Sequence, residues 1–188
     1  MNNSNTIAGI GNNVTEFDTG AVRDIQEEKG RCDLMPIGII ADIYEYLDIS
    51  PSVSSILRYI NSYIYDGNRN NLYCAILEFA THRYEISDTY DESPTLNEVD
   101  KFSNALLEVS MHYKNGTMKY GERNWEKGIP LHSYIDSGIR HFIKYVSGYK
   151  DERHDLAFMW NLLCCAHTDL YIDNDSLRDL PFCKKKIN

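Results

Sequence analysis

The side chains best suited to chemistry crowd into the last third of the sequence, where Asp136, Arg140, His141, Glu152, His154 and Asp155 follow one another closely. A helix begun near Asp151 and rotated about 100° per residue places Phe158, Met159, Leu162 and Ala166 on one apolar stripe. Asp155 falls in the middle of that stripe, with Glu152 beside it at i, i+3. Ionised carboxylates turned toward a core need a cation, because burial without one is very costly. The cation is either an arginine or lysine from a neighbouring helix or a metal ion. Oxygen ligands from several helices suit a hard dication such as Mg²⁺, with Mn²⁺ as the second choice. The plainer reading leaves Asp155 in the first turn of the helix and Glu152 in solvent.

On the preceding helical segment Ile135, Ile139, Phe142, Ile143 and Val146 mark the buried face. Asp136 and Arg140, at i, i+4, share one flank of it and His141 falls on the other. Asp136 and Arg140 are either a surface ion pair worth a few tenths of a kcal/mol, or a metal ligand beside a phosphate clamp, since a guanidinium fork matches phosphate oxygens. His141 and His154 are candidates for orienting water or moving a proton, against the commoner structural use of a lone histidine. Asn161 shares the His154 side of its helix at i, i+7. Lys119, Arg123 and Lys127 are interleaved with Tyr120 and Trp125 in a glycine-punctuated stretch. Such a stretch would neutralise phosphates and stack a base, or would be an ordinary surface loop with Trp125 plugging the core. Arg23, Lys29 and Arg31 form a second cationic group beside Asp24 and Asp33. P-loop, G-x-S-x-G and H-E-x-x-H patterns are absent, so P-loop NTPase, serine hydrolase and zincin chemistries are unsupported.

These residues sit in a chain of 188 residues with net charge −9, 43% hydrophobic and 25% charged. That balance fits a globular domain with a real core. It opposes non-specific nucleic-acid binding, which needs clustered Lys and Arg. No apolar run reaches the roughly 18 residues of a membrane span, and the N-terminus lacks a signal-peptide profile, so a cytoplasmic protein is expected. The five cysteines contain no C-x-x-C pair and read as reduced, packed thiols.

The elements that must position the candidate residues read as helices. Residues 1–16 form a polar N-terminal arm, and 17–33 read as a loop. Helices are expected from Pro36 to Tyr46, from the Ser50-Pro51 start to a stop at Gly67, and from Leu72 to about Arg83. Thr95 to Glu98 has a capping-box pattern opening a helix that Asn115-Gly116 ends. A long loop over 119–130 follows, then helices at about Leu131–Ser147 and Asp151–Leu170. The expected fold is all-α, with helix pairs packed antiparallel in one domain over 17–180 and a basic tail over 181–188.

Several segments in one order resemble a known family. Thr19–Asp24, Lys29–Pro36, Lys119–Gly128 and Asp136–His141, with His154, Trp160-Asn161 and His167-Thr168, resemble phage and prophage proteins of the dATP/dGTP diphosphohydrolase-like type. The resemblance covers 17–36 and 116–169, and leaves about 45–100 as a helical insertion. It implies kinship with the MazG-like all-α nucleotide pyrophosphohydrolases, in which helix carboxylates hold Mg²⁺. Glu152 and Asp155 fit the spacing of that group's E-x-x-D motif, whereas its E-E-x-x-E motif has no counterpart.

The resemblance therefore implies Mg²⁺-dependent hydrolysis of purine deoxynucleoside triphosphates. Asp136, Glu152 and Asp155 would hold the metal, and Arg140, His141 and His154 would serve catalysis. Arg23, Lys29, Arg31, Lys119, Tyr120, Arg123, Asn124, Trp125, Lys127 and Asn161 would bind the substrate. A homo-oligomer in the cytoplasm, the host's if the chain is phage-encoded, is implied, with no nucleic-acid or membrane partner. The alternative is a phage protein that sequesters a signalling nucleotide without cleaving it.

Overall fold

The computed structural model describes residues 14–24, 30–47, 50–86 and 97–184. Lys29, Thr95, the acidic stretch 88–94, the residues before 14 and those after 184 lie outside them; the start of the expected basic tail, Pro181–Lys184, is a short helix whose Phe182 packs on Tyr63. Among the described residues the chain forms seven α-helices and one two-stranded hairpin, an all-α fold as expected. In order these are β1 (Val14–Glu16), β2 (Val22–Asp24), α1 (Ile37–Tyr46), α2 (Pro51–Asp66), α3 (Arg69–Ile86), α4 (Glu98–Tyr120), α5 (Leu131–Val146), α6 (His154–Tyr171) and α7 (Pro181–Lys184).

α6 is the centre. It buries residues on nearly every side, from Leu156, Phe158 and Met159 to Leu162, Cys164 and Cys165, because α5, α4 and α3 all pack against it. A helix enclosed in this way needs no single apolar stripe. α5 forms a helical hairpin with α6, and α2 joins α3 to α1. Phe79 of α3 lies edge-on to Phe158 at 4.7 Å and to Phe142 at 6.0 Å between ring centroids. The helices in the stretch read as an insertion are thus wedged into the same core.

The start of α2 at Pro51 and its stop at Gly67 match the sequence reading. Gly67 has φ +68°, and a Cβ there would stand 2.5 Å from the Phe182 ring, so both conformation and space demand glycine. α3 runs a turn beyond each expected end.

Three boundaries differ in ways that matter to the site. Residues 14–24, read as arm and loop, pair as an antiparallel hairpin with Thr15 opposite Arg23. α4 does not end at Asn115-Gly116 but continues to Tyr120 and stops at Gly121, whose φ is +85°. One interior glycine costs a helix only about 1 kcal/mol, which packing on α6 outweighs. Lys119 and Tyr120 therefore belong to a helix, not a loop. α4 is capped by Asn97, whose side chain accepts the Asp100 N–H at 3.0 Å. α6 begins at His154, so Asp151–Arg153 form the turn before it. Glu152 then cannot share a helical face with Asp155: its side chain is 47% exposed, while Asp155 is buried in the first turn. The five cysteines are all free thiols. No helix is long and apolar enough to cross a membrane.

Candidate functional site

Two segments that the sequence separates by about a hundred residues are joined here. The side-chain amide of Asn124 donates to the Val22 carbonyl at 2.9 Å and accepts the Val22 N–H at 3.0 Å, continuing β2 as a further strand would. Thr19 donates to the Gly128 carbonyl at 2.6 Å, and Lys127 to the Gly20 carbonyl at 3.0 Å. The hairpin is thereby stapled over the 121–130 loop. Gly128, at φ +89°, has Leu177 Cδ1 2.5 Å from where a Cβ would stand, which seats the loop against the C-terminal segment. Asn124 and Lys127 consequently hold the loop in place.

Beneath this staple lies a cavity of about 620 Å³ between the hairpin, α4, α5 and α6, within the size range of small-molecule sites. Aromatic rings form one wall. Tyr113 meets Trp125 edge-on at 5.5 Å and Trp160 at 6.1 Å, and Tyr120 stands beside them on α4. Cations come from Arg23, Lys119, Arg123, Arg140 and Lys144, against the carboxylates Asp24, Glu122 and Glu152. Lys119 is paired with Asp24 at 2.6 Å, and that hydrogen bond raises its pKa above the ordinary lysine value. Arg23 is buried, with one Nη donating to Asn161 Oδ1 at 2.7 Å and the other to the Ser133 carbonyl at 3.0 Å, its guanidinium 5.6 Å from the Tyr134 ring centre.

At the α5–α6 end of the cavity three donor atoms converge. His141 Nδ1, His154 Nδ1 and Glu152 Oε1 form a triangle with edges of 3.0, 3.3 and 3.4 Å. Among the described residues no other three His, Cys, Asp or Glu side chains bring their ligand atoms so close together. The far nitrogen of His154, Nε2, lies 2.9 Å from Asp151 Oδ1, and Lys144 Nζ lies 3.3 Å from the other oxygen of that carboxylate. Burial, then the neighbouring His154 ring and Arg23, pushes the His141 pKa down to about 3, so its imidazole is neutral at working pH.

The other two carboxylates expected beside Glu152 are spoken for by arginines. Asp136 accepts from Arg140 at 2.6 Å and from the Cys32 N–H at 2.5 Å, and Arg140 also donates to the Gly30 carbonyl. This pair clamps the 3₁₀ turn Cys32–Leu34 onto α5. Asp155 receives a two-pronged contact from Arg153, at 2.9 and 2.7 Å, and faces Arg83 of α3 at 3.4 Å. Glu108 of α4 bridges the same two arginines. Asp136, Glu152 and Asp155 are therefore not gathered as one ligand set; only Glu152 lines the cavity. Arg31 pairs with Asp33 at 2.6 Å and, like Lys127, is not part of the lining. Arg23, Lys119, Tyr120, Arg123, Asn124, Trp125, Arg140, His141 and Asn161 all line it.

No site role was read from the sequence for Lys144, Asp151, His112, Tyr113 or Trp160, although Trp160 stands in a segment that carries the family resemblance. Lys144 carried a signal, standing one turn beyond Arg140 at i, i+4 on α5. His112 and Tyr113 carried none, since they reach the cavity only because α4 lies across α6.

Residues 83–175 match the family described as dATP/dGTP diphosphohydrolase, N-terminal. The matched segment holds α4, α5 and α6, hence most of the cavity and all of the His141, Glu152 and His154 triangle. It leaves out the hairpin and α1 and α2. No curated protein and no solved structure matches the chain.

Proposed function

We propose that this chain hydrolyses purine deoxynucleoside triphosphates to the monophosphate and pyrophosphate. The observation that carries the reading is a cavity of nucleotide size with an aromatic wall on one side and Arg140, Lys144 and Glu152 on the other, within a segment matching a diphosphohydrolase family. Tyr120, Trp125 and Trp160 offer flat surfaces for a base, and base–aromatic stacking contributes about 1–3 kcal/mol per base. Arg140 and Lys144 project from successive turns of α5, where they neutralise phosphate oxygens. Attack of water on the α-phosphorus forms the new P–O bond, breaks the bond to the β-phosphate oxygen and releases pyrophosphate. Glu152, half exposed beside two histidines, takes the proton from that water through the carboxylate oxygen other than Oε1.

Asp136 and Asp155, saturated by arginines, do not fit a Mg²⁺ cage. Magnesium enters this proposal on the triphosphate, whose charge it neutralises when bound. Those same saturated carboxylates favour a second reading, in which the cavity sequesters a nucleotide, such as a signalling nucleotide, without cleaving it.

One experiment separates the two. The chain is incubated with each deoxy- and ribonucleoside triphosphate and Mg²⁺, and products are resolved by anion exchange. Monophosphate and pyrophosphate in equal amounts, greatest for the purine deoxynucleotides and lost in Lys144→Ala, support hydrolysis. Saturable retention without product supports sequestration, and neither outcome for any nucleotide removes both.

A further inference from the structure

The convergence of two imidazole nitrogens and one carboxylate oxygen at the α5–α6 end of the cavity has the dimensions of a coordination face. Ligand atoms about 2.1 Å from an ion stand about 3.0 Å apart at octahedral angles and about 3.4 Å apart at tetrahedral ones. The three edges between His141 Nδ1, His154 Nδ1 and Glu152 Oε1, at 3.0 to 3.4 Å, span that interval. We infer that His141, Glu152 and His154 hold a resident transition-metal dication of the Mn²⁺, Fe²⁺, Co²⁺ or Zn²⁺ class, distinct from any Mg²⁺ carried by a nucleotide.

A second, independent feature points the same way. His154 is fully buried and turns Nε2 to Asp151 at 2.9 Å. A proton on Nε2, donated to that carboxylate, leaves Nδ1 as a lone pair aimed into the triangle. A carboxylate behind a ligating imidazole is the usual device for fixing tautomer and ring orientation. Lys144 in turn holds the second oxygen of Asp151 at 3.3 Å. Two nitrogen donors of three disfavour Mg²⁺, which takes oxygen ligands, and suit the later first-row ions. The triangle opens on the cavity through His141 and Glu152, so further coordination positions face the cavity.

The role of the ion in hydrolysis rests on the function proposed above, but its binding is measured without nucleotide. The full chain, stripped with a chelator, is titrated with Co²⁺ and followed by visible absorption and calorimetry. One Co²⁺ per chain is expected, held against about a hundredfold excess of Mg²⁺. Glu152→Gln, at a half-exposed position outside any helix, and Asp151→Asn are each expected to weaken it about 10- to 100-fold with unchanged circular dichroism. Absent binding, binding unaltered in both variants, or displacement by an equal concentration of Mg²⁺ overturns the inference. If Co²⁺ binds as described and no nucleotide is bound or cleaved, the proposed function fails and the metal centre stands.

Discussion

His141 and His154 meet nitrogen to nitrogen, Nδ1 to Nδ1 at 3.0 Å, although one belongs to α5 and the other opens α6. Their approach is set by the hairpin these two helices form, and by Asp151, which pulls the far side of the His154 ring toward Lys144. The polar end of the cavity thus depends on the turn Asp151–Arg153 as much as on either helix.

That turn is anchored by Arg153, and the Arg83, Glu108, Arg153 and Asp155 network ties α3, α4 and α6 together beside it. Arg83 and Asp155 are both buried. Removing one member of a buried ion pair costs about 3–5 kcal/mol, because the partner is left uncompensated. Arg83→Met is expected to lose an amount near the low end of that range, since Arg153 remains. Urea unfolding followed by circular dichroism measures it, and a change under about 0.5 kcal/mol, the size of an ordinary surface substitution, contradicts the assignment.

The same network sets an acid limit. Burial raises the Asp155 pKa, but the hydrogen bonds and charge of Arg153, with the charge of Arg83, lower it more, leaving it below the ordinary aspartate value. A depressed folded pKa gives stability that is present above the unfolded value of about 3.9 and is lost as pH falls through the folded one. Melting temperature is therefore expected to hold from neutral pH to about 5 and to drop below about pH 4. Asp155→Asn should start lower at neutral pH and fall less across that acid window. Parallel curves for the two proteins would count against the network.

Gly128→Ala forces a Cβ onto Leu177 at a φ of +89°. The combined strain is expected to cost about 1–3 kcal/mol. Because Gly128 also receives the Thr19 hydroxyl, the hairpin over the cavity should loosen. The readouts are thermal melting and hydrogen exchange at Val22 and Arg23, with faster exchange there than in α6 as the expected result.

Lys144→Met removes a cation from the polar end of the cavity while leaving the aromatic wall untouched. A charged hydrogen bond contributes about 1.5–3 kcal/mol, so triphosphate affinity should fall roughly 10- to 100-fold. Affinity for the free nucleoside should not change. Calorimetry with dGTP and deoxyguanosine distinguishes this from general damage, which would weaken both.

Much of the scaffold was legible because its signals are local. Pro51 and Gly67 mark the ends of α2 within a few residues of chain, and Ile135, Ile139 and Phe142 mark the buried face of α5 through helical spacing alone. What escaped depends on partners far away in sequence. Arg153 stands only two residues from Asp155, but nothing nearby announces that Arg83, on α3, joins it there in place of a metal. Nothing near Asn124 announces that it will pair with Val22. Gly116 misled in the opposite direction, since its helix-breaking tendency is small beside the packing of α4 on α6. The cavity-lining set drawn from Lys119–Trp125, Arg140, His141 and Asn161 was legible as residue types, but the grouping of His141 with Glu152 and His154 required the hairpin of α5 and α6.

The most direct test of the central claim is phosphorus NMR of dGTP incubated with the chain and Mg²⁺ in ¹⁸O-labelled water. The account predicts dGMP and pyrophosphate, with the label on the monophosphate, since water attacks the α-phosphorus. Orthophosphate as the product, label confined to pyrophosphate, or unchanged dGTP at a protein concentration that saturates binding would contradict it.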